Sequence, residues 1–274
     1  MILFLILFAL SFVGYMIYLI CFWQWEKNCQ PLYIEEKIPV FGHRGSPMLI
    51  TENTLLSFKK AIEQGVDGLE FDIRLSKDKQ IVIFHDNNLK RLSDRHDIVT
   101  DLSLTELQAI VLKKQPGQTE DVYIPALHDI IPLLHQIKVI NIEIKSNGLF
   151  KGHDILIPLI KFLNKHQIDD RCIISSFNPL ILMRLRLQRS ETVIGFLYNR
   201  KRLFHGWYNM IWMLRVQPEN LHIHHSLINH WIVKLARKKG MRINSYTINN
   251  RDIYHKARGE TIDGLFTDNI EYLK

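Results

Sequence analysis

The chain has 274 residues, 47% of them apolar and 23% charged, with a formal net charge of +7. That balance excludes a disordered chain, and the length suits a single α/β barrel. Lysines and arginines are dispersed from Lys27 to Lys274 without a dense basic arm, and no zinc-finger or RNP pattern occurs. No nucleic-acid partner is therefore expected, although the positive excess favours anions in general.

The chain begins with Met1 to Trp23 without one charged side chain. At about 1.5 Å per residue this run can cross a hydrocarbon core of about 30 Å. Trp23 and Trp25 fall where an interfacial aromatic belt is expected. Residues 1–25 are read as a transmembrane anchor and 26–38 as a juxtamembrane linker, which leaves 39–274 for the folded unit. The expected location is thus a membrane, reached by a single N-terminal pass. A cleaved signal peptide is the competing reading, but a basic n-region and a small-x-small cleavage site are both missing. Glu26, Lys27, Glu35, Glu36 and Lys37 nearly cancel, so the side occupied by the folded unit stays open. Cys21, Cys29 and Cys172 are too few for a disulfide framework and are read as free thiols.

Beyond Pro39, short apolar runs alternate with helical patterns. Strands are predicted at 40–43, 69–74, 139–145, 172–176, 193–197, 221–223, 243–247 and 265–267. Stretches such as "TLLSFKKAIEQG" and "SLINHWIVKLARKKG" carry the helical pattern between them. Eight strands alternating with helices predict a closed (β/α)₈ fold, the TIM barrel, rather than an open doubly wound sheet, for which no Gly-rich dinucleotide turn is present. The interval of about 75–138 breaks the rhythm and is read as a small cap insertion between the second and third barrel strands. "LFHGWYNMIWMLRV", 203–216, is either a lipid-facing lip or a buried amphipathic helix.

Side chains two apart on a strand share a face. In "GLEFDIRL" this pairs Glu70 with Asp72, and in "NIEIKS" Glu143 with Lys145. Charges in barrel strands are costly unless they are paired or bind something, and at the carboxyl ends they converge on the mouth. Each acid could be neutralised by its own lysine or arginine. The recurrence on a second strand favours a hard divalent cation, Mg²⁺ or Ca²⁺ with Mn²⁺ as a further candidate, bound by Glu70, Asp72 and Glu143. His43 and His85 each end an apolar run beside Arg44 and Asp86, which suits a general acid and a general base. Arg44 and Lys145 supply positive charge for an anionic group.

"HRG" at 43–45, "EN" at 52–53, "EFD" at 70–72, "HD" at 85–86, "EIK" at 143–145 and the closing "DGLFTDN" at 263–269 occur in an order that resembles glycerophosphodiester phosphodiesterases. The likeness runs from about Pro39 to the end. Tyr246 stands where that family usually has Trp, and His128 where it commonly has Glu. The resemblance implies metal-dependent hydrolysis of glycerophosphodiesters to glycerol 3-phosphate and an alcohol. Glu70, Asp72 and Glu143 would hold the metal, His43 and His85 would exchange protons, and Arg44 and Lys145 would clamp phosphate. It also implies Glu52 near the metal. Asn53 is either an orienting hydrogen-bonder or the N-cap of the helix that follows. Membrane anchoring adds lysophospholipids, a lysophospholipase D-like activity, to the expected substrates. A related barrel phospholipase, of the phosphatidylinositol-specific or sphingomyelinase D type, and a non-catalytic membrane scaffold are the alternatives. Oligomeric state is not legible in the residues.

Overall fold

A computed structural model describes residues 1–22, 38–201, 204–259 and 262–273. Its strands are β1 (Val40–His43), β2 (Gly68–Leu75), β3 (Ile81–Ile83), β4 (Val139–Ile144), β5 (Cys172–Ser176), β6 (Val193–Leu197), β7 (Asn220–His224), β8 (Arg242–Tyr246) and β9 (Gly264–Thr267). All but β3 run parallel, and β1 pairs with both β2 and β9, which closes an eight-stranded barrel. The helices are α1 (Ile2–Ile17), α2 (Leu55–Glu63), α3 (Leu104–Gln108), α4 (Ile131–Leu134), α5 (Leu156–His166), α6 (Pro179–Gln188), α7 (His205–Val216), α8 (Trp231–Lys238) and α9 (Arg251–Gly259). The TIM barrel expected from the strand–helix rhythm is therefore the fold.

Period-2 alternation sorts each stave into an outer and an inner face. On β4, Ile140, Ile142 and Ile144 pack outward into the core shared with the surrounding helices. Val139 points inward, where it joins Phe41, Ile173, Val193 and Phe266 in a small apolar plug. Complete burial of each such side chain contributes about 1.5–3 kcal/mol. Above the plug the inward positions turn polar, and Asp72 stands opposite Glu143 in the β2–β4 register as Glu70 stands opposite His43 in β1–β2.

The interval between β2 and β4 has two parts. β3 folds back antiparallel on β2, with Ile83 opposite Ile73, and the following segment builds a second core. Phe84, Leu89, Val99, Leu107, Leu112 and Ile124 belong to it, and Ile50 and Leu56 pack against it from the barrel. Leu127, Ile130, Leu134 and Ile137 return to the main core, so this last stretch, which includes α4, packs on the barrel and not in the second core.

α7 is buried along most of its length and exposed at its start. Met210, Met213, Leu214 and Val216 are buried, whereas Phe204 and Trp207 near its start are 74% and 61% exposed. At its far end Arg215 Nη1 donates to Tyr15 Oη at 2.6 Å, and Met16 and Leu19 are buried against the barrel core. The helical run Ile2–Phe22 has a mean hydropathy of 2.5 and is long and apolar enough to cross a membrane. Trp23, Trp25, Cys29 and the charges assigned to the linker lie outside the described residues.

Candidate active site

The first stave ends in a tight turn that the sequence "HRG" makes feasible. Gly45 has φ +93°, and a β-carbon there would stand 2.7 Å from the main-chain carbon of Ser57. Only glycine tolerates both conditions. Arg44 itself is left-handed, φ +57°, and its N–H donates to Glu70 Oε2 at 2.9 Å. The turn thus delivers His43 and Arg44 to the mouth and ties them to the neighbouring strand.

Glu70, Asp72 and Glu143 are all buried, and each offers an oxygen within 4.8 Å of the others. Lys145 Nζ lies 3.0 Å from Asp72 Oδ1 and also bonds to Glu143, while Arg44 Nε lies 3.1 Å from Asp72 Oδ2. Glu70 differs from the other two. Among the described residues it has no lysine or arginine side chain within ion-pair reach, and its buried Oε1 has no hydrogen-bond partner. Burial, with Asp72 beside it, pushes its pKa up to about 8. Burial acts on Asp72 the same way, but Lys145 and Arg44 outweigh it and hold that carboxyl well below its usual range. Three converging oxygen donors, with Oε1 of Glu70 unpartnered and Oδ1 of Asp72 met by the Lys145 ammonium without a hydrogen bond, fit a hard divalent cation, since its charge would offset the penalty that Glu70 carries.

The two histidines come from different parts of the fold. His43 ends β1, and its Nδ1 lies 2.6 Å from Asp268 Oδ1, just beyond β9. Asn249 holds that carboxylate from its other oxygen at 2.7 Å. His85 arrives on the returning limb of the β2–β3 hairpin, with Nδ1 2.7 Å from Asp86 Oδ1. Arg74 fixes its main chain through two bonds to the His85 carbonyl, at 2.9 and 2.7 Å. Burial pushes His85 down to about 4, with Lys145 and Arg44 adding to the effect. Burial also depresses His43, but Glu70 and Asp268 overcome it and leave its pKa raised.

The structure places Glu52 and decides between the two readings of Asn53. Glu52 does not join the cluster of three acids. Arg44 takes its Oε1, and Arg91 takes both of its oxygens at 2.7 and 2.8 Å. Two guanidinium groups saturate that carboxylate, so it acts as a brace. Asn53 is not the cap of α2. Thr54 is, with its hydroxyl accepting from Ser57 N. Asn53, held left-handed at φ +57°, donates from Nδ2 to Asp72 at 2.8 Å, and its Oδ1 accepts the Asp72 N–H. The other departure noted in the sequence, His128, is exposed and meets Asp129, a residue that caps the turn at Ala126.

Asp268, Arg91 and Arg74 were not singled out from the sequence. Asp268 sits in "DGLFTDN", but nothing in that string tells that closure of the barrel sets it beside His43. Arg91 bridges Glu52 and Asp86, the latter at 2.6 Å, so one cap side chain braces the supports of both Arg44 and His85. A cavity of about 270 Å³ opens among His43, Arg44, Glu70, His85, Glu143 and Lys145, and Asn141 and His222 line it too. Such an arrangement can bind an anion beside a cation and exchange protons with it at two imidazoles.

The family model for the glycerophosphoryl diester phosphodiesterase family matches residues 43–272. A glycerophosphodiester phosphodiesterase of Caldanaerobacter subterraneus is 30% identical over 239 residues, 86% of this chain and 96% of that protein. The solved glycerophosphodiester phosphodiesterase of Thermotoga maritima superposes with a TM-score of 0.69 at 29% identity, covering 87% of this chain and 97% of that one. An Oleispira antarctica phosphodiesterase, solved with the product sn-glycerol-3-phosphate, gives 0.72 at 26% identity, covering 84% and 92%. With its barrel, its acidic cluster and these relatives, the chain belongs to the glycerophosphoryl diester phosphodiesterase family.

Proposed function

We propose that this phosphodiesterase cleaves glycerophosphodiesters at the barrel mouth, with Glu70, Asp72 and Glu143 holding a divalent cation. The observation that carries this reading is Glu70, a buried carboxylate with an unpartnered oxygen inside a cluster of three acids. When bound, the cation (Mg²⁺, Ca²⁺ or Mn²⁺) would polarise the phosphoryl oxygens. Arg44 and Lys145 grip the phosphate and stabilise the charge that develops on it. One of His43 and His85 takes the proton of the attacking oxygen, and the other delivers a proton to the departing alkoxide. Asp268 and Asp86 hold the two rings in register for those transfers. The products are glycerol 3-phosphate and an alcohol, a reading supported by the product found in the Oleispira relative.

Lysophospholipids are the second substrate class in this reading. It is supported by the apolar helix Ile2–Phe22, read as an uncleaved membrane anchor, and by Met48, Phe150, Phe204 and Trp207, exposed apolar side chains on segments that follow strand ends. The full-length protein, solubilised in detergent, is assayed on glycerophosphocholine and lysophosphatidylcholine, with chelator and with each cation restored. Cleavage of both diesters that chelator abolishes is expected. Activity confined to the water-soluble diester discards the lipid reading, and chelator-resistant activity discards the metal. Recovery of a mature protein lacking residues 1–25 would replace the anchor with a leader peptide.

A further inference from the structure

Next to the catalytic cavity lies a wider chamber of about 630 Å³, lined by Phe177, Tyr198, Arg200, Lys201, His224 and Tyr246 among others. It adjoins the reaction site directly, because Phe177, His224 and Tyr246 line both spaces. Lys145 Nζ sits 5.8 Å from the Phe177 ring centroid, so that ring stands between the phosphate clamp and the chamber. Tyr246 forms the other wall, its hydroxyl donating to the Tyr198 carbonyl at 3.3 Å. An organic group leaving the phosphate on this side enters an aromatic box.

Aromatic boxes alone suit quaternary ammonium groups, through cation–π attraction. The charges here oppose that occupant. Among the described residues no acidic side chain lines the chamber. Arg200 Nη1 lies 3.1 Å from His224 Nδ1, and Lys201 follows on the same loop. Among the described residues, neither cation has a carboxylate within 4.0 Å. Two cations without counter-ions beside an aromatic wall repel choline and ethanolamine and attract an anion, to which Arg200 can present two parallel N–H groups.

We infer that this chamber is the alcohol subsite and that it selects glycerophosphodiesters whose alcohol carries negative charge, a phosphorylated alcohol above all. The inference rests on the diesterase reading above and adds the substrate class to it. Tyr246, in the position where the resembling enzymes usually carry Trp, gives the wall a polar edge beside the cations. Because Arg200 and Lys201 are exposed at the surface, added salt weakens the preference.

The test compares kcat/KM for three water-soluble diesters: glycerophosphoinositol 4-phosphate, glycerophosphoinositol and glycerophosphocholine, with divalent cation at low ionic strength. In the unaltered protein the anionic substrate is expected to exceed the choline diester by about tenfold or more, equivalent to about 1.4 kcal/mol. The R200S/K201S double variant is expected to bring that ratio to within about threefold, and R200K with Lys201 intact to retain it. A ratio near one in the unaltered protein, or a ratio that the double variant leaves unmoved, overturns this inference and leaves the diesterase reading standing. Failure to cleave any of the three overturns both.

Discussion

Asp268 Oδ1 lies 2.6 Å from His43 Nδ1, a contact across 225 residues of sequence that exists because β9 pairs with β1. The carboxylate is itself held by Asn249, so the imidazole is oriented from behind by two layers of side chains. A histidine fixed in this way keeps one tautomer and presents its other nitrogen to the mouth. Replacing Asp268 by Asn preserves the shape and removes the charge. We expect kcat to fall by about 10²–10⁴, with KM changed little, as for a triad carboxylate. Steady-state kinetics on glycerophosphocholine decide this, and a pure KM effect would assign Asp268 to substrate binding.

The acidic cluster makes stability of the metal-free protein depend on pH in a defined direction. Glu70, pushed up to about 8, keeps a proton in the folded state that the unfolded chain has already lost, and Glu143 and His43 are also raised. A folded state that binds more protons is destabilised as pH rises. Below about pH 6.5 the depressed histidines His85 and His222 act with the opposite sign, so the clean window is pH 6.5 to 8. With chelator present, Tm should fall across this window, and Glu70→Gln should flatten the slope. Divalent cation at 100 times its Kd should restore about 2.7 kcal/mol. A cation that raises Tm of the Gln variant as much as that of the unaltered protein would remove Glu70 from the metal site.

Arg91 belongs to the cap, yet it braces the mouth through Glu52 and Asp86. Its side chain is partly exposed, which weakens its value to global stability. Its effect on alignment is undiminished. Arg91→Met is expected to lower kcat about tenfold while Tm moves by only a few degrees. Arg91→Lys should rescue little, because a point charge cannot replace the bidentate grip on Glu52. Equal behaviour of the Lys variant and the unaltered protein would reduce Arg91 to a surface ion pair.

Asn53 positions one member of the cluster from a strained backbone. Asn53→Ala loses the donor to Asp72 while keeping a positive φ that alanine dislikes, at a cost of about 1–3 kcal/mol in stability. If Asp72 holds the cation as proposed, loss of the residue that orients it should also weaken cation affinity by about 10–100-fold, measured by calorimetry. Asn53→Gly relieves the backbone and not the carboxylate, so it should recover stability without recovering affinity. Recovery of both would make Asn53 a turn residue only.

Much of the barrel was legible because period-2 alternation and strand–helix rhythm are local properties. Ile140, Ile142 and Ile144 announce a buried outer face, and Glu143 between them announces that its own face meets something other than oil. The same parity put Glu70 with Asp72, and the structure brings all three acids together. The residues that support them were not legible in this way. Asn53 and Thr54 are adjacent and both suit a helix start, and only the left-handed turn decides that Thr54 caps while Asn53 faces Asp72. Glu52 reads as a metal-side acid until Arg91 arrives from the cap to occupy it.

Sequence alone determined which strands form the barrel, which faces they bury and which acids share an inward face, because each follows from the order of neighbours along the chain. Tertiary structure decided the pairings: Asp268 with His43 by closing the barrel, Arg91 with Glu52 by folding the cap back, and Arg200 with His224 by setting the loop after β6 beside the end of β7. These contacts join residues 24 to 225 positions apart, and no local periodicity encodes a distance between segments that only the packed fold brings together.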